Sequence, residues 1–445
     1  MNGAIAVYAT LVMVLGIMGY RRRADIRELN IANRSIGWIP GGFSVAATWI
    51  WAPALFVASQ RAYLEGILGL SWFLVPNVIC LFLFAYIAKR SQRFGEAQSL
   101  SALMGSVYCS RRLEVIYNVE LLMLTACSTG VQLLAGGAAL SALTGFPFWT
   151  LTVGLAALAL SYSMLGGIRA SVTTDVLQMG LMMVAVAVAL MHFVPGSAPV
   201  WGGVRGLSVN FFSPDNWGLF VAFGLTTSIG LLSGPIGDQT FWQRAFSIKP
   251  EHVGKAFCLG AAIFATVPLG MGLLGAIAAG SGFEAANPEM VGLEFVMAFA
   301  PRFIGVLFVL CIISGLSSTL DSNMCAISSL VTNMSRKTGT PVWGRGAMVA
   351  LTLAGIGIAN IPGMQIFWLF LLYGVLRSTV AFPTALTMIR GGVFTEASMF
   401  KGILLGLAIG LPIYTFGAIY KITPMVIGGT LIAVLLPLAS LKARK

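Results

Sequence analysis

Apolar residues run on for longer than a half-buried strand or one stripe of a surface helix would allow, and short polar stretches separate the runs. A helix crossing the hydrocarbon layer needs about 20 mainly apolar residues. On that rule the chain predicts thirteen spans, near 3–20, 38–58, 66–88, 113–142, 147–166, 172–194, 216–237, 252–280, 300–334, 344–362, 364–390, 397–419 and 424–441. The first is apolar and N-terminal, as a secretory leader would be. No basic segment precedes it, however, and Arg21, Arg22 and Arg23 follow it, so it reads as a true span. With no soluble domain, long linker or low-complexity segment, residues 1–445 read as one all-α polytopic membrane domain.

Composition agrees with the pattern. Hydrophobic residues make up 58% of the 445 and charged residues 9%, against roughly 25% charged in ordinary soluble domains. The net charge of +12 would suit nucleic acid only if it formed a basic face on a soluble fold. Here the basic residues cluster between apolar runs, which is how topology is set in a bilayer. Placing the N-terminus outside puts Arg21–Arg27, Lys89–Arg93, Arg111–Arg112, Lys249–Lys255, Arg336–Arg345 and Lys442–Lys445 in the cytoplasm. Only Arg61, Arg205, Arg302 and Lys421 then remain outside, and an odd number of spans leaves the C-terminus inside. The six cysteines form no CxxC and pair with no His, which argues against a metal or redox motif. His192 and His252 read as a helix-end residue and a loop residue.

Two spans differ from the rest. The second carries Gly41-Gly42 and then Ala46-Ala47-Thr48-Trp49-Ile50-Trp51-Ala52-Pro53; the seventh carries Thr226-Thr227-Ser228-Ile229-Gly230 and then Ser233-Gly234-Pro235-Ile236-Gly237-Asp238. Proline removes a backbone donor and glycine relaxes the helix, so both can open inside the membrane. Carbonyls freed there must line a cavity or hold a cation. Because the two lie five spans apart, each would be the first helix of a five-helix unit, and an odd offset inverts the second unit. The expected repeats cover about 38–194 and 216–390, with one helix before them and two after. The alternative is that both are merely kinked packing helices.

Polar residues at membrane depth narrow the chemistry. Asp175 follows Thr173-Thr174, and Asp321 sits in Gly315-Leu316-Ser317-Ser318-Thr319-Leu320-Asp321-Ser322. Charges at such depth mark ion or solute paths. Sodium, a hard cation, takes oxygen ligands. Ser318 and Thr319 are adjacent, so both hydroxyls are expected near one ion, with the Gly315 carbonyl one turn back.

Three stretches resemble the sodium:solute symporter family. They are Ser161-Tyr162-Ser163-Met164-Leu165-Gly166-Gly167 running on to Thr173-Thr174-Asp175-Val176-Leu177-Gln178, Gly315 through Ser322, and Asp238-Gln239-Thr240-Phe241-Trp242-Gln243-Arg244-Ala245. The resemblance implies the inverted-repeat sodium-symporter fold, with Na+ as coupling ion and no other cofactor. It implies a sodium site made by the carbonyls of Ala47, Ile50 and Gly315 and the hydroxyls of Ser318 and Thr319. Asp175 falls where some members use a carboxylate for a second sodium or for ion release. Several members place Asp or Asn in the opened second span, where this chain has Trp49.

Within the family, Trp49-Ile50-Trp51-Ala52 and the Asp238–Ala245 run resemble urea-type symporters. A small planar amide suits such residues: Trp49, Trp51 and Trp242 would enclose it, while Asp238 and Gln239 would exchange hydrogen bonds with it. The alternative is that the tryptophans pack against neighbouring helices. Arg377 lies deep in a span by these limits; it would either hold a solute carboxylate or pair with Asp321 or Glu120. The expected activity is therefore sodium-coupled import of a small polar solute, urea first, across the plasma membrane. An organic anion, an amino acid or uncoupled passage is the alternative. No HExxH, GxSxG or plausible carboxylate pair supports an enzyme, and no protein partner is implied.

Overall fold

The computed structural model describes residues 2–18, 25–335 and 341–443. The basic clusters at Arg21–Arg23 and Arg336–Lys337, and Lys445, lie outside the described residues. Among those described, the regular structure is helical: α1 (Asn2–Met18), α2 (Ile26–Ile31), α3 (Trp38–Trp49), α4 (Ala52–Ser91), α5 (Leu100–Tyr108), α6 (Arg111–Thr144) and α7 (Phe148–Phe193) come first. Then follow α8 (Trp217–Leu219), which passes through a π-helical turn into α9 (Leu225–Leu232), α10 (Gln239–Ser247), α11 (Val253–Gly280), α12 (Val291–Phe299) and α13 (Arg302–Ser335). The chain ends with α14 (Val342–Ala359), α15 (Ile366–Arg390), α16 (Glu396–Leu405), α17 (Leu411–Ile419) and α18 (Thr423–Ala439).

Eight of the described helices are long and apolar enough to cross a membrane, and three shorter ones, Gly3–Ile17, Trp217–Leu232 and Thr423–Ala439, are apolar as well. Two of the long ones leave helical geometry part-way. Gly66 in α4 (φ 64°, ψ −145°) and Gly167 in α7 (φ 56°, ψ −147°) stand near where the sequence divides spans. Only glycine takes that backbone readily. A Cβ would also strike the Trp201 carbonyl in the first case and that of Leu29 in the second.

Beyond the seventh span the chain restarts as α10 and runs to Ser247, with every residue of that helix buried although the run is polar. The short helices α2, α5 and α12 have six or nine residues, below the length the membrane rule detects.

Small residues let the elements close up. α11 lies along α3 and α4, where a Cβ on Gly260 would come within 2.6 Å of Val45, and one on Gly275 within 2.2 Å of the Ser59 carbonyl. Gly230 of α9 and Gly374 of α15 meet backbone to backbone, the close approach that small residues allow in membranes. Gly275→Ala should lower stability by about 1–3 kcal/mol, because backbone on the other side cannot give. Gly428→Ala, where nothing among the described residues stands within 4 Å, should change little. Thermal unfolding of the two purified variants in detergent checks this.

Candidate ion and solute site

Both broken segments open between two helices, and both openings line one cavity. Between α3 and α4, Ile50 (ψ 79°) and Trp51 (ψ 177°) are extended. Pro53 has no N–H to offer, and the N–H of Ala52 is taken by the Gln132 side chain at 2.8 Å. Between α9 and α10, residues 233–238 leave the helix, and Asp238 restarts it by accepting from the N–H and hydroxyl of Thr240. The far ends are tied together: Ile36 donates to the Ser247 carbonyl, and Lys249 donates to that of Ile36.

The first opening meets α13. The Thr319 hydroxyl lies 3.2 Å from the Gly315 carbonyl and 3.4 Å from those of Thr48 and Ile50. One hydroxyl proton cannot satisfy three carbonyls, so the cluster has spare acceptors directed at one point. Gly315 permits it, since the Ile50 carbonyl stands only 3.1 Å from where a Cβ would be.

Two expected members do not join that cluster. Ser318 gives its hydroxyl to Asp175 instead, because neighbouring helical residues point about 100° apart. The Ala47 carbonyl accepts the N–H of Ile50 at 3.1 Å, and the Thr48 carbonyl stands beside Thr319 in its place.

Asp175 is not a free carboxylate. It pairs with Arg244 at 3.0 Å and also accepts from Ser44 and Ser318. Arg244 spreads further, to Ser44 from Nε, to Ser322 at 2.7 Å, to Ser171 at 3.3 Å and to the Thr240 carbonyl. Asp321 belongs to the same network through Ser171, Tyr162 and Thr174. Arg244 is the residue that reading the sequence missed. It stands in the Asp238–Ala245 run, where its residue type alone does not mark it as buried.

The second opening meets α15. Arg377 pairs with Asp238 at 3.0 Å, not with Asp321 or Glu120. Gly237 decides the partner, since its backbone lies against that of Arg377. Asp238 also accepts the Tyr373 hydroxyl. The guanidinium sits among rings, 3.5 Å from the centroid of Tyr373, 4.9 Å from Trp49 and 5.2 Å from Trp51. Trp49 and Trp51 stack at 6.1 Å with 19° between planes.

These residues surround a cavity of about 10 Å³ whose lining includes Thr48, Trp49, Trp51, Asp238, Thr319, Tyr373 and Arg377. That is room for about one water, so the centre is closed. Gln239 and Trp242 are not on it. Gln239 is spent on Gln98, Leu100 and Ser329, and Trp242 donates to the Ile236 carbonyl and packs on Phe84. Both face away because α10 turns its opposite side to the cavity, through Thr240 and Phe241. Trp49 gives its N–H to the Asn77 carbonyl, whereas Trp51 Nε1 and Arg377 Nε have no partner among the described residues.

The fold has a solved counterpart. A Na+-coupled sialic acid symporter in its substrate-bound outward-open state superposes with a TM-score of 0.76, covering 100% of this chain and 98% of that one at 14% identity. Among sequences, the sodium/pantothenate symporter of Escherichia coli is 26% identical over 92% of this chain and 89% of its own length. The urea active transporter of Saccharomyces cerevisiae is 23% identical over 94% of this chain, which spans 63% of that protein. The family model for the sodium:solute symporter family matches residues 30–410. The chain belongs to that family, whose members are transporters and not enzymes.

Proposed function

We propose that the protein imports a small neutral amide, urea or a close analogue, together with sodium by alternating access. One observation carries the coupling: Thr48 and Thr319 belong both to the oxygen cluster and to the cavity wall. An ion drawing the carbonyls of Gly315, Thr48 and Ile50 together would therefore set the shape of the solute cavity. Asp238 and Arg377 neutralise each other, which suits an uncharged solute. The similarity to urea transporters supports the same reading. A small carboxylate is the second reading, favoured by the buried unpartnered donors Trp51 Nε1 and Arg377 Nε.

Thirteen spans, in two inverted five-helix units with three further helices, accommodate the helices once α4 and α7 are divided at Gly66 and Gly167. Cysteine at Lys421 should be labelled only from outside and cysteine at Lys249 only from the cytoplasm. Labelling of both from one side would remove the inverted arrangement.

Uptake into proteoliposomes with and without a sodium gradient tests the function, using urea, a short monocarboxylate and a neutral amino acid. Urea uptake should need sodium. Trp51→Phe keeps the ring but removes an N–H that no protein group uses. It should therefore leave folding intact and weaken solute affinity by about tenfold, the worth of one hydrogen bond. Sodium-driven uptake of the monocarboxylate but not of urea would replace the first reading by the second.

A further inference from the structure

Glu120 is unlike the other buried carboxylates. It lies on α6 with no exposed surface, and neither of its oxygens has a hydrogen-bond partner among the described residues. Asp175, Asp321 and Asp238 each accept from at least three groups, and Glu65 pairs with Arg61 and Arg205.

The surroundings offer Glu120 no compensation. Arg377 from α15 and Asp238 from the break before α10 are the charges that act on it, and they are already paired with each other. Tyr117, one turn earlier on α6, shares its hydroxyl with Thr384 at 2.9 Å. With Asp238 and Arg377 cancelling, the carboxylate adds one negative charge that nothing balances. Buried charge of that kind is retained only where it is neutralised.

Its place suggests what neutralises it. Glu120 is eight residues from Ser128, which lines the cavity, so it lies about 12 Å further along α6. It is displaced toward Arg111, the end that the charge pattern puts in the cytoplasm.

We propose that Glu120 is a second cation site, holding a monovalent hard cation, sodium or a proton, between the solute cavity and the cytoplasm. It is separate from the Thr319 cluster and does not depend on which solute is carried. A proton needs only the carboxylate. Sodium needs further oxygens, which water supplies when that side opens.

Two measurements on the purified full chain decide it. Equilibrium binding of radioactive sodium counts ions per protein, and titration of an unbuffered sample with an indicator counts protons exchanged between about pH 6 and 9, where an ordinary carboxylate stays ionised throughout. The variants are Glu120→Gln, which keeps shape without charge, Glu120→Asp, which keeps charge at shorter reach, and Thr319→Ala as reference. Loss of one sodium per protein in Glu120→Gln, beyond the ion lost in Thr319→Ala, identifies the occupant as sodium. Loss of one group titrating in that range, with sodium binding unchanged, identifies it as a proton. Glu120→Asp should retain whichever is lost, which excludes misfolding as the cause. Equal sodium and proton counts in wild type and Glu120→Gln overturn the proposal, while the Thr319→Ala result still reports on the first site.

Discussion

Arg244→Met should be among the most destabilising single substitutions in the chain, costing about 3–5 kcal/mol, as removal of one partner from a buried ion pair does. The guanidinium is 1% exposed and serves α3, α7, α10 and α13 together. Without it, Asp175 and Asp321 are left buried with hydroxyl donors only. Arg244→Lys should do little better: one ammonium cannot reach Ser44 on one side and Asp175 and Ser322 on the other in the planar fork these partners require. Thermal stability of the purified variants in detergent measures the loss. Asp175→Asn added to Arg244→Met should recover part of it by removing the stranded charge. If the double variant is no more stable than the single one, the pair does not hold these helices together.

The openings themselves were legible in the sequence. Pro53 beside a run of small residues, and Ser233-Gly234-Pro235 before Asp238, are chemistry that backbone rules interpret directly. Glycines at 66 and 167 stand near where the spans divide for the same kind of reason. What stayed hidden was polar burial. Hydropathy sees Gln239, Gln243 and Arg244 as a reason to leave the membrane, yet each is buried and its N–H groups are bonded inside the protein. Side-chain direction was hidden too. Ser318 and Thr319 are neighbours in sequence but serve different partners, and only the packing of α7 against α13 says which. Arg377 could be seen to need a partner; that the partner is Asp238 follows from the close passage of Gly237 and Gly230 along α15.

That division between Ser318 and Thr319 leads to a separation that a family-wide sodium site would not foresee. Thr319→Ala removes the hydroxyl that sits among the carbonyls of Gly315, Thr48 and Ile50, while leaving the ion network untouched. Sodium affinity should fall at least about tenfold, the equivalent of roughly 1.4 kcal/mol, and the fold without sodium should keep its stability. Ser318→Ala takes a donor from Asp175 instead. The apo protein should lose about 1–3 kcal/mol through a buried acceptor left short, with sodium affinity reduced less than in Thr319→Ala. Sodium stabilises whatever it binds by mass action, so the shift in unfolding temperature across a sodium titration reports affinity separately from apo stability. Potassium in place of sodium gives the baseline. Thr319→Ala should flatten the sodium dependence, and Ser318→Ala should lower the whole curve while keeping its slope. Flat curves for both would return Ser318 to the first ion's shell, and unchanged sodium dependence in Thr319→Ala would remove the oxygen cluster as the site.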